Sequence, residues 1–289
     1  MEKDIQQVMI ELDHEDIEIY INHMYLSTVE TSMHQHKKGQ LLYAEGGIVH
    51  IFIQEKHWYL PARCFIWIPS ELPHSILTFS KKVDLYNIYF KNDVNQHNFF
   101  SFPNIYFAND LLREMILYTK NWSGEIQKND LAKYYFLKAL KENLPNIEST
   151  KLPIMMQHPF PKDPKLLEIA HFLNSNIETN YTIDEVAKKF GLSTRTLSRK
   201  FKEQLGMNYV RFLRSIRVTK AFELITEKRY SIYEITVKVG YSSLAAFSNI
   251  FYKVAGIRPT EYAKLISNTD THKDIDRKLI LEKQKRESR

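Results

Sequence analysis

Between about Ile17 and Phe90 the chain sets short apolar runs between polar breaks. LLYAEGG, VHIFI, WYLPA, FIWIP, SILTFS and DLYNIYF are rich in β-branched and aromatic residues, and Gly, Pro, Lys or Asn separates them. Runs of this kind predict strands, and several at close spacing predict a sandwich or barrel. After Ile105 the period changes. NDLLREMILYTKNW and DLAKYYFLKALKENL repeat apolar residues at helical spacing, which predicts helices within about 105–145, with Asp110 and Asp130 as caps or first-turn acids. LPIMMQHPFPKDPK then brings Pro153, Pro159, Pro161 and Pro164 close together. Such a stretch cannot carry a regular helix and reads as a linker. From Lys165 to about Ile266 the periodicity is helical throughout, and the remaining residues are polar.

The pattern divides the chain into a strand-and-helix region at 1–150, a linker at 151–164, an all-helical region at 165–266 and a polar tail at 267–289. A length of 289 residues suits two domains. No apolar run reaches the roughly 18 residues of a membrane span, and MEKDIQQVMIELDHED has neither a basic n-region nor an apolar core, so no signal peptide is expected. The single Cys64 leaves no internal disulfide and no cysteine-based zinc cluster. A reduced, cytoplasmic setting is the expectation.

Charge is divided along the same boundary. From Pro164 onward there are 24 Lys/Arg and 14 Asp/Glu, against 16 and 20 before it. A basic half joined to an acidic half suggests that the basic half faces a polyanion, with a merely solvated surface as the alternative.

The basic half also repeats itself. TIDEVAKKFGLS, from Thr182, aligns with SIYEITVKVGYS, from Ser231, at an offset of 49 residues. Thr182 matches Ser231, Glu185 matches Glu234 and Gly191 matches Gly240. Both copies open with a capping box, in which the hydroxyl accepts an amide of the first turn and the glutamate reaches back. Both reach glycine where a helix needs a left-handed residue to stop. Phe201 and Phe251, then Gly206 and Gly256, continue the match one residue out of step. Two short helices joined by a tight turn with glycine form a helix-turn-helix, whose second helix enters the DNA major groove. An ordinary helical hairpin with a basic face is the competing reading, and the second copy counts against it. MNYVRFLRSIRVTKAFELITEK between the copies predicts a rigid connector with Val210, Leu213, Ile216 and Ala221 or Leu224 inward and Arg211, Arg214, Arg217 and Lys220 outward. It would hold the two units in successive major grooves about one turn, roughly 34 Å, apart.

In the first reading helix, Leu197, Phe201 and Leu205 form the buried side. That leaves Arg195, Ser198 and Arg199 for base edges, and Thr194, Thr196 and Lys202 for phosphates. In the second, Ser242 or Ser243 can cap, and Leu244, Ala245, Ser248, Asn249 and Lys253 face out. Asn249 would read adenine, and Leu244 or Ala245 would touch a thymine methyl. With no arginine on this helix, base selection there is expected to be looser.

These residues resemble the C-terminal domain of the AraC/XylS family of bacterial transcription regulators over Lys165 to about Ile266. Gly240-Tyr241-Ser242-Ser243, Phe247, Phe251-Tyr252-Lys253, Gly256 and Pro259-Thr260-Glu261-Tyr262 look like the family's signature stretch. The resemblance implies base contacts by Arg195, Ser198 and Arg199 and by Leu244, Ala245, Ser248 and Asn249. Many members carry a basic residue at the position of Asn249.

In the acidic half, His34 and His36 alternate on a strand and so point the same way. Gln40 follows, Gly47 lies beyond, and His74 comes in WIPSELPHSI. The order resembles a cupin over about 17–90, with glutamine in place of the usual carboxylate and Glu71 and Thr78 where cupin motifs favour Gly and Asn. Three imidazoles with Gln40 as an oxygen ligand would suit Zn²⁺, Ni²⁺ or Fe²⁺. Alternatively, they are hydrogen-bonded groups lining an effector pocket. Tyr25, Tyr43, Phe52 and Trp67, with Trp58, would line such a cavity or serve as plain core.

The fold class expected is therefore α+β, a cupin-like β-barrel with flanking helices followed by an all-α domain of two helix-turn-helix units. The function implied is a cytoplasmic, non-enzymatic, sequence-specific transcription regulator, an activator, that senses a small molecule or a metal at the barrel. Its partners would be double-stranded promoter DNA, a small-molecule effector, RNA polymerase and a second copy of the chain, with no membrane. The only cofactor implied is a divalent transition metal in the barrel. The alternative is a metal-dependent cupin enzyme with an accessory DNA-binding domain.

Overall fold

The computed structural model describes residues 5–26, 29–53, 56–78, 83–92, 97–146, 157–159, 161 and 163–267. Helix α1 (Ile5–Leu12) precedes the strands β1 (Ile19–Ile21), β2 (Met24–Leu26), β3 (Val29–Glu30), β4 (Gly39–Glu45), β5 (Ile48–Ile53), β6 (Lys56–Pro61), β7 (Cys64–Ile68), β8 (His74–Thr78) and β9 (Val83–Phe90). Next come β10 (Asn104–Phe107), helix α2 (Asp110–Tyr118), β11 (Gly124–Glu125), helix α3 (Leu131–Asn143) and β12 (Gln157–Pro159). Each of the six runs read as strands in the sequence has a strand in its described residues. Two antiparallel sheets result, in the orders β10-β7-β4-β9-β1-β11, with β2 also on β9, and β12-β6-β5-β8-β3.

Alternation along the strands decides what each side chain meets. Leu42, Ala44, Ile66 and Ile68 of the first sheet share one core with Val49, Ile51, Trp58, Leu60 and Ile76 of the second. The opposite face of the first sheet sends Leu41, Tyr43, Phe65, Trp67, Ile88 and Phe90 against Leu112 and Ile116 of α2 and Leu137 and Leu140 of α3. Tyr43 and Trp67 therefore do not line a cavity between the sheets. They are one register position away from the residues that face it. Trp67 is further fixed by an indole N–H bond to the Phe100 carbonyl, 3.1 Å. Asn109 caps α2, with Asp110 in its first turn, while Asp130 caps α3.

The proline-rich segment is not only a linker. Gln157–Pro159 forms β12 and pairs with Lys56–Trp58 of β6. As an edge strand, β12 tolerates Pro159, whose missing N–H would break a central ladder. Asp163 then caps α4 (Pro164–Ser175), with Pro164 in its first turn, where the ring's fixed φ favours a helix.

The helical region continues through α5 (Ile183–Lys189), α6 (Thr194–Leu205), α7 (Tyr209–Glu227), α8 (Ile232–Lys238) and α9 (Leu244–Ala255), and residues 259–267 are helical. The described part of the tail ends at 267. Leu166, Ile169, Val186, Leu197, Phe201 and Phe212 form the core of the first unit. Phe222, Ile235, Phe247, Phe251 and Tyr262 join the core between the two sheets. The second unit is thus packed onto the sheets rather than tethered beside them.

Candidate nucleic-acid interface and the sites behind it

Both predicted capping boxes form. Thr182 and Ser231 each accept the amide of the glutamate three residues on, and Glu185 and Glu234 each accept from the cap amide. The bond from the cap amide, followed by that from the cap hydroxyl, holds each carboxyl below the usual range. Gly191 and Gly240 follow with φ of +68° and +80°, the left-handed geometry that glycine adopts without strain. Ser193 and Ser243 then start α6 and α9 by accepting from the amides of Thr196 and Ala246.

In α6, Leu197, Phe201 and Leu205 are buried, while Arg195, Ser198, Arg199 and Lys202 are exposed. Arg199 lies 4.0 Å from Glu203 one turn on, both largely in solvent, so this ion pair is weak and easily exchanged. Thr194 and Thr196 are half-buried. Thr194 bonds the Asp184 carboxylate, tying α6 to α5, and Thr196 shares its hydroxyl with Ser193 at 2.8 Å. In α9, Ser243, Leu244, Ala245, Asn249 and Lys253 are exposed, and Ser248 is half-buried.

The connector α7 differs from expectation at two positions. Val210 is exposed, and Arg217 is 5% exposed. Arg217 donates to the carbonyls of Ile177 (3.2 Å) and Thr179 (3.1 Å) and to Asn180 Oδ1 (3.4 Å). Its guanidinium also lies 5.3 Å from the centre of the Tyr241 ring. Arg217 therefore fastens the chain ahead of the first unit to the turn of the second. Periodicity alone marks it as a basic surface residue, because an arginine that satisfies backbone carbonyls from within leaves no apolar signature.

A second correction concerns the far end of α9. The Arg258 Nη1 donates to Asn249 Oδ1 at 2.9 Å, and the guanidinium sits 4.8 Å from the Tyr252 ring centre. An arginine does stand beside the exposed face of α9. It comes from beyond the helix, in a turn that spacing within α9 does not reveal.

The three histidines meet, although His34 and His36 lie not on a strand but in the segment between β3 and β4, where His34 makes only an isolated bridge. His34 and His74 pair backbone to backbone, and the three imidazoles of His34, His36 and His74 offer ligand atoms within 4.8 Å of one another. Each Nδ1 donates to a carbonyl: His34 to Ser32 (2.8 Å), His36 to Lys38 (2.6 Å) and His74 to Leu72 (2.8 Å). A carbonyl can only accept, so the proton of each neutral ring is on Nδ1 and the Nε2 lone pair is available. Gln40 gives its amide N–H to Asn87 at 2.7 Å, and so turns its oxygen to His36 Nε2 at 3.1 Å. Two acceptors then face each other. Burial lowers the pKa of His36, and that of His74 to about 3, where the neighbouring His36 and His34 add to the effect. His74 is fully buried, and its Nε2 has no partner. The donor set fits a borderline divalent cation such as Zn²⁺, with Nδ1–carbonyl bonds of the type that orients metal-ligating histidines.

Of the expected effector residues, Phe52 lines a cavity on the outer side of the second sheet. The side chain of Tyr25 lies outside the described residues. The cavity is about 350 Å³, between β5 and β6 on one side and α4 and α7 on the other. His50, Phe52, His57 and Tyr59 meet Ala170, His171, Phe212, Ile216 and the Lys220–Glu223 ion pair (2.6 Å) across it. His50 Nδ1 and His57 Nε2 are 2.9 Å apart, and burial lowers the His50 pKa to about 4.

A helix-turn-helix domain family model matches residues 186–265. A transcriptional regulator of known structure from Chromobacterium violaceum, described as having an AraC-type DNA-binding domain, is 31% identical over 36% of this chain and 92% of its own, with a TM-score of 0.35. Over residues 186–265 the chain is therefore similar to helix-turn-helix transcription regulators. Among AraC-type relatives, the Escherichia coli regulator GadX is 31% identical over 107 residues, 36% of this chain and 39% of GadX. NimR of the same organism is 22% identical over 249 residues, 86% of this chain and 88% of NimR. The chain spans only 38% of the E. coli regulator YdiP and 26% of the xylose operon regulatory protein.

Proposed function

We propose that the protein is a sequence-specific DNA-binding transcription regulator, an activator, whose two reading helices occupy successive major grooves. The observation that carries this reading is the duplicated unit itself. Both copies have a capped helix, a left-handed glycine and a second helix with a polar exposed face, and the buried Arg217 locks them through α7. Arg195, Ser198 and Arg199 read bases in the first groove, with Lys202 on phosphate. Thr194 and Thr196 chiefly hold α6 in place. Ser243, Leu244, Ala245, Ser248, Asn249 and Lys253 form the second contact. Binding of the full chain to a duplex selected from a random library, measured against salt, tests this. Neutralised phosphates give affinity that falls steeply with salt; salt-independent binding counts against the reading.

The signal enters at the cavity between the second sheet and α4/α7. A small, largely apolar molecule held there touches the sheet and the connector together, and it shifts the protein between states only by preferring one of them. Exposed Leu111 and Tyr118 of α2, with Leu131 and Tyr135 of α3, supply the homodimer contact, for which sedimentation of Tyr135→Glu is the check. RNA polymerase is the downstream partner, the compartment is the cytoplasm, and the working boundaries are 1–150, 151–164 and 165–266.

A second reading is favoured by the unpartnered Nε2 of His74. His34, His36 and His74, with Gln40, would hold a divalent transition metal, which supplies a Lewis acid and a cross-link between strands. Metal analysis with and without His74→Ala tests it; equal metal content removes it. Turnover that required this cluster would favour the metal-dependent enzyme instead.

A further inference from the structure

We infer that Arg258 and Asn249 act as one base-reading unit in the second groove, and that this unit selects guanine rather than adenine. The inference rests on the DNA-binding reading above.

A lone asparagine reads adenine with both ends of its amide. The oxygen accepts from N6–H, and the nitrogen donates to N7. Here the oxygen is engaged. A guanidinium has only donors, so the amide group turned toward Arg258 Nη1 must be Oδ1, and the 2.9 Å contact fixes which way the side chain is flipped. The Asn249 NH₂ is left pointing away from Arg258. A second donor brought to Oδ1, as adenine N6 would be, arrives beside a positive guanidinium and its N–H groups. The pair therefore presents donors only.

Its partner should be an edge made only of acceptors. Guanine offers N7 and O6 side by side in the major groove, whereas adenine interrupts its N7 with a donor and cytosine offers a donor. Arg258 is also held in advance of binding. Its guanidinium lies over Tyr252, and its backbone N–H donates to Glu261 at 3.0 Å, which anchors the turn that carries it. An arginine stacked in this way loses less freedom on forming a bond than a free one. Asn249 and Tyr252 are both exposed, on the same helix and three residues apart.

The test uses the full chain and selection from a random duplex library, followed by binding to single-base variants of the selected site. For the wild type, one base pair in the half-site of the second reader should be guanine, with substitution by adenine weakening binding about tenfold. In Arg258→Ala the preference at that one pair should move to adenine or vanish, while every other position keeps its base. Arg258→Lys, which retains charge but not the planar fork, should lose most of the guanine preference. Thermal melting of both variants shows whether each is folded. An adenine selected by the wild type at that pair overturns the inference, as does an Arg258→Ala or Arg258→Lys selection profile identical to wild type. A uniform loss of affinity across all sequences would make Arg258 a phosphate contact and also overturn it. No enriched sequence for the wild type would instead bring down the DNA-binding reading itself.

Discussion

The hydroxyl of Tyr262 donates a hydrogen bond to the backbone carbonyl of Ala62, 3.0 Å away and 200 residues earlier in the chain. Tyr262 is fully buried, its ring 6.2 Å from Phe107 of β10 and 4.7 Å from Phe222 of α7. Tyr262 is thus one point at which the second helix-turn-helix unit shares its core with the sheets. A change in the sheets thus has a direct mechanical route to the second reading helix.

Tyr262→Phe keeps the ring and removes the bond, leaving the Ala62 carbonyl without this donor. A loss of about 1–2 kcal/mol is expected, read by urea unfolding of the full chain. Because packing is retained, Tyr262→Ala should cost more, about 3–5 kcal/mol.

The two repeat glycines should respond unequally to alanine. At Gly191 a Cβ meets nothing within 4 Å, so Gly191→Ala bears only the left-handed strain, about 1–2 kcal/mol. At Gly240 the same atom would lie 2.4 Å from Arg217 Nη2 and 2.7 Å from the Ile177 carbonyl. Gly240→Ala must therefore also displace the Arg217 staple, and its melting temperature should fall well below that of Gly191→Ala. Equal losses at the two sites would show that the staple is not rigid.

Acid should destabilise the fold through buried neutral histidines. Burial lowers His23 and His50 to about 4 from 6.5, with the Thr119 carbonyl partly opposing this at His23. The unfolded chain then binds protons near pH 6.5 that the folded chain refuses. Their stabilising contribution is complete above that pH and is lost as pH falls toward about 4, at up to about 1.4 kcal/mol per pH unit for each group. Urea melts at pH 7 and pH 5 should show the loss, and His50→Gln should make it shallower.

The sequence made the elements legible wherever an apolar period and a capping signal coincided. Thr182, Glu185 and Gly191 specify their turn locally, and so do Ser231, Glu234 and Gly240. The spacing of His34, His36 and His74 also marked a cluster, though the isolated bridge between His34 and His74, not a strand through 34–36, brings them together. Three things stayed hidden because they depend on distant partners. Tyr43 and Trp67 face α2 and α3, since strand phase alone does not say which face a helix covers. Arg217 turns inward because backbone carbonyls at 177 and 179 wait there. Arg258 reaches Asn249 because the Gly256 turn carries it back along α9.

The first reading helix gives a clean separation of roles. Arg199→Ala should relax base preference at one pair, costing about 1–3 kcal/mol on the selected site and much less on random duplex. Lys202→Ala should weaken all sequences alike and lower the salt slope by about one. Binding isotherms on both duplexes at several salt concentrations distinguish the two. The reverse assignment would mean that α6 enters the groove in a different rotation.

The claim on which the rest depends is that α7 holds both readers on one side of a duplex. The most direct measurement is binding of the full chain to its selected site with about half a helical turn, roughly 5 base pairs, inserted between the two half-sites. The rigid connector predicts affinity reduced to that of a single half-site, and no recovery when a full turn is inserted. Affinity unchanged by the half-turn insertion would contradict it.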